Sequence, residues 1–471
     1  MLDFWWRKVD FTGARHGVGP LTWGQRRTWD DIQYFYPEIK GFYVMRRAVP
    51  VPPGLSLEKV LDGIRAIVER HEALRTHFRE GSAGPEQSVL SDGEVQVAVF
   101  EIARHPTGDL LDLMSKGIDK ACGVIFEHET ELPVRFGVAL SQNTPILVTL
   151  AFSRLTVDMQ SAVLASTELF TLFDAAARGE VAQLPEPGRS PLDQVEFERS
   201  ERGRRLNRRS MANLRRDLEA IEPSMFGAPV PLDGPRYWRG CLDSEAAALA
   251  VTALSRRYAA SPSALLLAVT TSLLNALTGT EICALGLIYG NRSVLGLKGA
   301  VGSLSQTALV CVPVRPGSFG AHAETVSSSM TRSYINACFD TLEAAEIVRE
   351  VSQRRGVTFD LECRFNDMWS RTLGEDDAKA DVEPGLIRDA RARSAFSWTE
   401  RTDSDKISFY LDISGTAKRM RLLALADTHR IPPAAIQGFL EAVERVLAAL
   451  AERDLDLVEI VELADLGRFR A

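Results

Sequence analysis

The chain has 471 residues, of which 45% are hydrophobic and 25% charged, enough to bury the cores of two domain-sized lobes. Its formal net charge of -8 and pI near 5.6 exclude a general nucleic-acid binder, which needs a surplus of Lys and Arg on its binding face. The opening Met1-Leu2-Asp3-Phe4-Trp5-Trp6-Arg7-Lys8 lacks the basic-then-apolar order of a signal peptide, and polar residues break every long apolar run, so a cytoplasmic protein without a membrane span is expected.

In chain order, Leu57, Val60, Leu61, Ile64, Ile67 and Val68 recur at helical spacing, with Ser56 placed to cap the start. Glu94 to Phe100 alternates as a half-buried strand does, and Pro133 to Leu140 predicts another. Ile146 to Phe152 is a continuous apolar run, which predicts a central strand buried on both faces, feeding Ser153-Arg154-Leu155-Thr156-Val157-Asp158-Met159 and a helix that ends near Gly179.

From Val181 the character changes. Pro185, Pro187, Gly188 and Pro191 open a connector, and an Arg-rich helical stretch runs from Phe197 to Leu218. Helices follow around Ser244 to Tyr258 and Pro262 to Leu277, strands around Ile282 to Ile288 and Thr307 to Val314, and a last helix from Pro432 to Leu450. The division expected is a first lobe over 1–180, a connector over 181–235 and a second lobe over 236–471. Alternating strands and helices predict two α/β lobes facing each other across a cleft that would hold the site.

Cys122, Cys241, Cys283, Cys311, Cys338 and Cys363 are scattered, without the close pairs of a zinc or redox site, and read as buried free thiols. No nucleophile elbow, phosphate-cradling glycine loop, His-rich metal spacing or dinucleotide fingerprint is present, so no metal or organic cofactor is expected.

Five segments share an ordered pattern. They are Leu21-Thr22-Trp23-Gly24-Gln25-Arg26-Arg27-Thr28-Trp29, Arg70-His71-Glu72-Ala73-Leu74-Arg75-Thr76-His77-Phe78, Tyr237-Trp238-Arg239, Gly290-Asn291-Arg292, and Val301-Gly302-Ser303-Leu304-Ser305-Gln306-Thr307. In this order they resemble the motifs of the condensation domains of nonribosomal peptide synthetases. The second is the most specific, and Arg364-Phe365-Asn366-Asp367 also fits a late segment of that family. The resemblance covers nearly the whole chain and implies a free-standing domain with two chloramphenicol-acetyltransferase-like lobes, a V-shaped pseudo-dimer around a central tunnel.

The family's signature His-His-x-x-x-Asp-Gly is broken here. Ser153 stands at its first His, Arg154 at its second, and Met159 at its Gly, while Asp158 is kept. Imidazole titrates near neutrality, whereas a guanidinium stays protonated to about pH 12 and offers only donors, so Arg154 cannot be a general base. Arg154 could stabilise an oxyanion, hold a carboxylate, or pair with Asp158 four residues on. The family's motif Asp is structural and pairs with the Arg of the Gly-Arg turn, a role the resemblance gives to Asp158 and Arg292, with His71 as a structural histidine. Met159 adds a side chain where the family has none and is expected to alter the local backbone or narrow the passage.

His16, His105, His128, His322 and His429 have no partner pattern around them and read as surface or satisfied core residues. His77 is expected at a helix end, in local packing. Arg199, Arg202, Arg204, Arg205, Arg208, Arg209, Arg215 and Arg216, interspersed with Glu198 and Glu201, read either as a solvated helix or as a surface that steers an acidic carrier protein.

Two functions follow from the resemblance. In one, the protein binds acyl or peptidyl groups carried on the phosphopantetheine arm of carrier proteins and promotes amide or ester formation by holding the reactants together. In the other it is a silent platform that recruits a carrier protein or a tailoring oxygenase. A decayed, inactive paralogue is the remaining alternative.

Overall fold

The computed structural model describes residues 4–35, 43–102, 110–292, 297–374, 382–403 and 405–467. These form two compact units: one comprises residues 1–207 and 290–306, the other residues 208–289 and 307–471.

The first unit is built on a five-stranded sheet. Its chain order begins with β1 (Phe4–Thr12), β2 (Gly17–Pro20), α1 (Trp23–Phe35), β3 (Val44–Pro50), α2 (Leu57–Arg70), β4 (Thr76–Gly81), β5 (Gly84–Val89) and β6 (Asp92–Glu101). Then come α3 (Leu110–Cys122), β7 (Val134–Ser141), β8 (Thr144–Ser153), α4 (Met159–Ala177), α5 (Pro191–Arg199) and α6 (Glu201–Ala220), the last running on into the second unit.

The main sheet has the order β1-β6-β7-β8-β3, antiparallel except for the parallel β6–β7 pair. The strands β2, β5 and β4 make a small separate sheet. Val148, Leu150 and Phe152 of β8 enter the core shared with α2 and α4, while Ala151 packs on the other side with Met114 and Ile118 of α3. Strand β8 is therefore covered on both faces, as a continuous apolar run requires.

Helix α2 buries Val60, Leu61, Ile64, Ile67 and Val68, each contributing roughly 1.5–3 kcal/mol. The Ser56 cap on Lys59 N–H adds about 1 kcal/mol, so packing rather than capping holds the helix.

The second unit contains β9 (Tyr237–Ser244), α7 (Glu245–Tyr258), α8 (Pro262–Thr278), β10 (Ile282–Tyr289), β11 (Gln306–Pro313), α9 (Phe319–Ile335), α10 (Thr341–Arg355) and β12 (Cys363–Asp367). It closes with α11 (Pro384–Arg391), β13 (Ala395–Thr402), β14 (Phe409–Thr416), β15 (Arg419–Asp427), α12 (Pro433–Glu452) and α13 (Leu457–Ala464). Its seven-stranded sheet runs β11-β10-β12-β14-β15-β9-β13 and mixes parallel β10–β12–β14 with antiparallel β14–β15–β9–β13. Helices α7, α8 and α12 supply most of the core on one face, and the second half of α6 packs with α10 against β10 and β11.

The division differs from the sequence expectation. The Pro- and Gly-rich piece before α5 is no loose connector: Arg70 donates to Pro185 O, Gly188 N–H donates to Gly299 O at 3.1 Å, and Asp193 pairs with Arg15, all within the first unit. Residues 290–306, expected in the second lobe, belong to the first unit. The Arg-rich stretch is two helices, because Ser200 ends α5 and its Oγ then accepts Gly203 N–H at 3.1 Å. A Cβ at Gly203 would stand 2.2 Å from Phe197 O, so only glycine allows that break.

Among the described residues no single helix is long and apolar enough to cross a membrane. The α7–α8 pair passes by composition only with a 103° bend, and both helices are largely buried in the second unit's core. Cys241, Cys283, Cys311, Cys338 and Cys363 are free and buried, and burial raises the thiols of Cys283 and Cys311 to about 12. The side chain of Cys122 and all of His105 lie outside the described residues.

Gly24 of α1 tests this packing, since a Cβ there would meet Ser303 O at 2.1 Å. Gly24→Ala should cost roughly 1–3 kcal/mol in urea unfolding, as overpacking against backbone does. Gly227→Ala, where nothing lies within 4 Å, should leave stability nearly unchanged.

Candidate functional site

The site is built at the end of β8 and the start of α4. The chain leaves the strand at Ser153, turns through residues 154–157, and enters the helix at Asp158. Asp158 is the N-cap: its Oδ1 accepts Ser161 N–H at 2.9 Å. An N-cap has extended backbone, so residues 154 and 158 are not one helical turn apart, as the i,i+4 spacing had supposed.

Asp158 pairs instead with Arg292. The two terminal guanidinium nitrogens of Arg292 donate to its Oδ2 at 2.8 Å and its Oδ1 at 2.7 Å, with both side chains buried. Asp158 Oδ2 also accepts Ser305 Oγ–H at 2.9 Å and Leu304 N–H at 3.3 Å. Ser161 Oγ donates to Gly302 O at 2.8 Å and accepts from Gly302 N–H at 2.9 Å and from Arg292 at 2.5 Å. Arg292 is carried out of β10 by Asn291, whose φ of 57° is one that asparagine tolerates and whose Nδ2 donates to Leu304 O at 3.0 Å. Such a fork-to-fork pair is worth keeping buried only because these added bonds serve both carboxylate oxygens and both terminal guanidinium nitrogens, while Arg292 Nε is buried without a hydrogen-bond partner.

The opening motif supports the same place. Thr22 Oγ1 accepts Gln25 N–H and Gln25 Oε1 accepts Thr22 N–H, a reciprocal cap at the start of α1, and Gly24 lies against Ser303 O.

The second motif forms another buried cluster. His71 caps the end of α2 and its Nε2 lies 2.6 Å from Glu168 Oε2 of α4, which also takes Arg70 at 3.0 Å. Burial alone would raise the Glu168 pKa, but the hydrogen bonds from His71 and Arg70 outweigh it and hold the carboxyl below its ordinary value. Arg75, buried, donates to Arg15 O at 2.7 Å. His77 lies in β4, not at a helix end; its half-buried position lowers its pKa.

At residues 153 and 154 the structure separates two environments. Arg154 is half-buried, and its backbone N–H donates to Tyr43 O at 2.9 Å. Ser153 is fully buried, and its Oγ lies 2.8 Å from His128 Nε2 while accepting Leu155 N–H at 3.2 Å. His128 stacks on Phe126 and meets Phe78 edge-on, and burial together with the nearby Arg135 pushes its pKa down to about 4. Arg135 holds the loop that presents it, donating to Gly123 O and Ile125 O and pairing with Glu131.

His128 thus has a partner that the sequence does not show: the contact spans 25 residues between a loop and a strand end, with no local motif to signal it. His322 is buried with Thr271 as its 2.9 Å partner, and His16 is exposed. Met159 is the first residue of α4 and is 40% exposed. Among the described residues no three His, Cys, Asp or Glu side chains could together hold a metal ion.

No protein-family model matches the sequence. AMB antimetabolite synthetase AmbB of Pseudomonas aeruginosa is 24% identical over 312 residues, 64% of this chain and 24% of that protein. The probable non-canonical nonribosomal peptide synthetase CymA of Salinispora arenicola is 29% identical over 119 residues, 25% of this chain and 1% of that protein. The chain therefore spans a small part of the length of these relatives.

The first condensation domain of the calcium-dependent antibiotic synthetase superposes with a TM-score of 0.64 at 15% identity, over 92% of this chain and 96% of that one. A chain of the complex of the X-domain and OxyB from teicoplanin biosynthesis gives 0.65 at 15% identity, over 94% and 95%. The fold is thus the chloramphenicol-acetyltransferase-like α/β fold. More narrowly, it is the fold of the condensation domains of nonribosomal peptide synthetases.

Removing Arg292 alone strands a buried carboxylate. Arg292→Ala should lower stability by roughly 3–5 kcal/mol in guanidinium unfolding, and the Asp158→Ala/Arg292→Ala double variant by less than the sum of the singles.

His128 gives a pH test. Its folded pKa lies below the unfolded value of 6.5, so the native state binds fewer protons between pH 6.5 and about 4 and loses stability as pH falls through that window. The His128→Gln variant should show a shallower loss there in urea midpoints; an unchanged slope would remove His128 from the account.

Proposed function

We propose that this protein acts on acyl or peptidyl groups tethered to carrier proteins in nonribosomal peptide biosynthesis, promoting amide or ester formation without a histidine base at position 154. The observation that carries this reading is the contrast at the end of β8. The bracing that the fold needs, Asp158 with Arg292, is complete, while the neighbouring position of the base holds a guanidinium.

A thioester is already activated, and an amine of modest pKa can lose its proton to water. Positioning alone then supplies acceleration, and the missing base costs about two to four powers of ten. Arg154 contributes donors only: it would hold an anionic group of the substrate or stabilise the oxyanion that develops on the thioester carbonyl. Ser153 is buried and its hydroxyl is engaged with His128, so its role is to support the turn, not to attack. The phosphopantetheine arm would come with the carrier, and the protein itself would need no cofactor.

The second reading is a catalytically silent platform that recruits a carrier protein or a tailoring oxygenase. It is favoured by the likeness to the X-domain–OxyB complex, equal in quality to the likeness to the condensation domain.

The test is to incubate the protein with donor and acceptor carrier proteins from its gene neighbourhood, loaded with their substrates, and to follow product by intact-protein mass spectrometry. The expected result is a condensed product that is still formed by Arg154→Ala, because no base is lost, with a rate lower by no more than the roughly 10²–10³-fold that loss of one oxyanion donor costs. Absence of product together with stable binding of a carrier or an oxygenase would transfer the function to the platform reading.

A further inference from the structure

Strand β1 ends the main sheet of the first unit: β6 is its neighbour, and among the described residues no strand lies beyond it. An antiparallel strand turns the N–H and C=O groups of alternate residues to opposite sides. In β1 the odd residues face β6, since Gly13, next in that series, donates its N–H to Ser91 O at 2.6 Å. The even residues face outward. Arg65 Nε donates to Asp10 O at 2.9 Å, and Thr12 N–H donates to Glu69 Oε1 at 2.9 Å. Both partners lie on α2, so the second half of the edge is capped. The outward backbone groups of Phe4, Trp6 and Lys8 have no such cover among the described residues.

This open half is apolar. Trp5 and Trp6 are each 42% exposed, and the Trp6 ring stands edge-on to Phe4 at 5.6 Å, which packs in turn on Phe100. The cations that follow do not repel a second strand, because Arg7 pairs with Glu58 and Lys8 pairs with Glu94 at 2.9 Å. An open edge is a template for another strand, and Trp and Arg are the residues that anchor interfaces.

One partner matches both the backbone and the side chains. Laid antiparallel on a copy of itself about Trp6, the segment Phe4-Trp5-Trp6-Arg7-Lys8 sets Phe4 opposite Lys8 and Trp6 opposite Trp6. Even residues then meet even residues, so every outward group enters a hydrogen-bonded pair. Trp5 falls opposite Arg7 in the closer non-bonded pairs, where a guanidinium can lie over an indole. A shift of one residue would set outward groups against inward ones. A shift toward the C-terminal end would bring in Asp10, whose carbonyl Arg65 already holds.

We infer that the β1 edges of two copies of this chain pair antiparallel about Trp6, joining the first-unit sheets across a two-fold axis. The contact offers about six backbone bonds and the indoles of both copies, an interface at the low end of stable sizes, so the dimer forms in the micromolar range.

Sedimentation equilibrium of the full chain over about 1 to 100 µM should show monomer and dimer in exchange. Lys8→Pro removes an outward N–H and spares the ladder to β6, while Trp6→Glu sets two carboxylates against each other on the axis. Each should weaken association by about tenfold or more. Val181→Asp, at a residue 85% exposed in another part of the chain, should associate as the parent does. Circular dichroism of each variant separates lost pairing from lost folding. Trp6→Cys reads the register: Cα atoms of a bonded pair lie about 5.5 Å apart, within disulfide reach, so mild oxidation should link two chains. Trp5→Cys, offset from its own copy, should link poorly.

A chain that stays monomeric over that range would overturn the inference. So would a dimer left intact by both Lys8→Pro and Trp6→Glu in folded form, or one that cross-links through residue 5 in preference to residue 6. Association is read without carrier or substrate, so its outcome is separate from that of the function proposed above.

Discussion

The buried pair of Asp158 and Arg292 is the constraint around which the rest of the site is arranged. Two charges leave water here, a cost of several kcal/mol each, which a bidentate contact alone does not recover. The balance is met because Asp158 also caps α4 and accepts from Ser305 and Leu304, while Ser161 bonds Arg292 and both backbone groups of Gly302. Each motif that looks isolated along the sequence is one contributor to this network. The Gly290-Asn291-Arg292 turn delivers the guanidinium, the 301–307 segment delivers donors and acceptors, and the glycine of the opening motif lets Ser303 approach α1. A stretch lying between two strands of the second unit is thereby spent on the first.

A second buried network stands behind it. His71, Arg70 and Glu168 join the end of α2 to the middle of α4, so the helix whose first turn holds Asp158 is fixed at two points along its length. His128 and Ser153 do the same for the strand that precedes the turn, with Arg135 holding the loop that carries the imidazole. The turn at residues 154–157 is thus fixed from the strand side and from the helix side.

What could be read from the sequence follows from the range of each interaction. The periodicity of α2, the apolar run of β8, the Ser caps and Pro starts are local, and they appear in the structure within a few residues of their expected bounds. The two-helix break at Ser200 was also local, but its signal is one glycine whose Cβ would strike a carbonyl, and charge periodicity across the stretch masks it. The Pro-rich segment misleads for a different reason: its composition signals irregular backbone, which it has, yet irregular backbone can be packed and hydrogen-bonded as firmly as a helix. His128 was illegible because nothing within its own neighbourhood marks it, and only the fold brings it to Ser153. The spacing of Arg154 and Asp158 suggested helical neighbours, but the helical period starts only after the N-cap, and the carboxylate of Asp158 is held by Arg292.

Adjacent residues at the end of β8 therefore answer to different demands. Ser153 is buried and its hydroxyl serves the packing of a histidine drawn from another segment; a larger side chain there would have to displace that imidazole from between Phe126 and Phe78. Arg154 is half-buried, and the backbone bond it gives to Tyr43 is one that any non-proline residue can make. Asp158 carries the electrostatic load. The side chain at 154 can accordingly change while the clasp at 158 is kept, because the groups that hold the turn are other residues. That separation lets the bracing of the turn stay complete whatever side chain stands at 154, since a fold and the chemistry of a site on it are set by different residues.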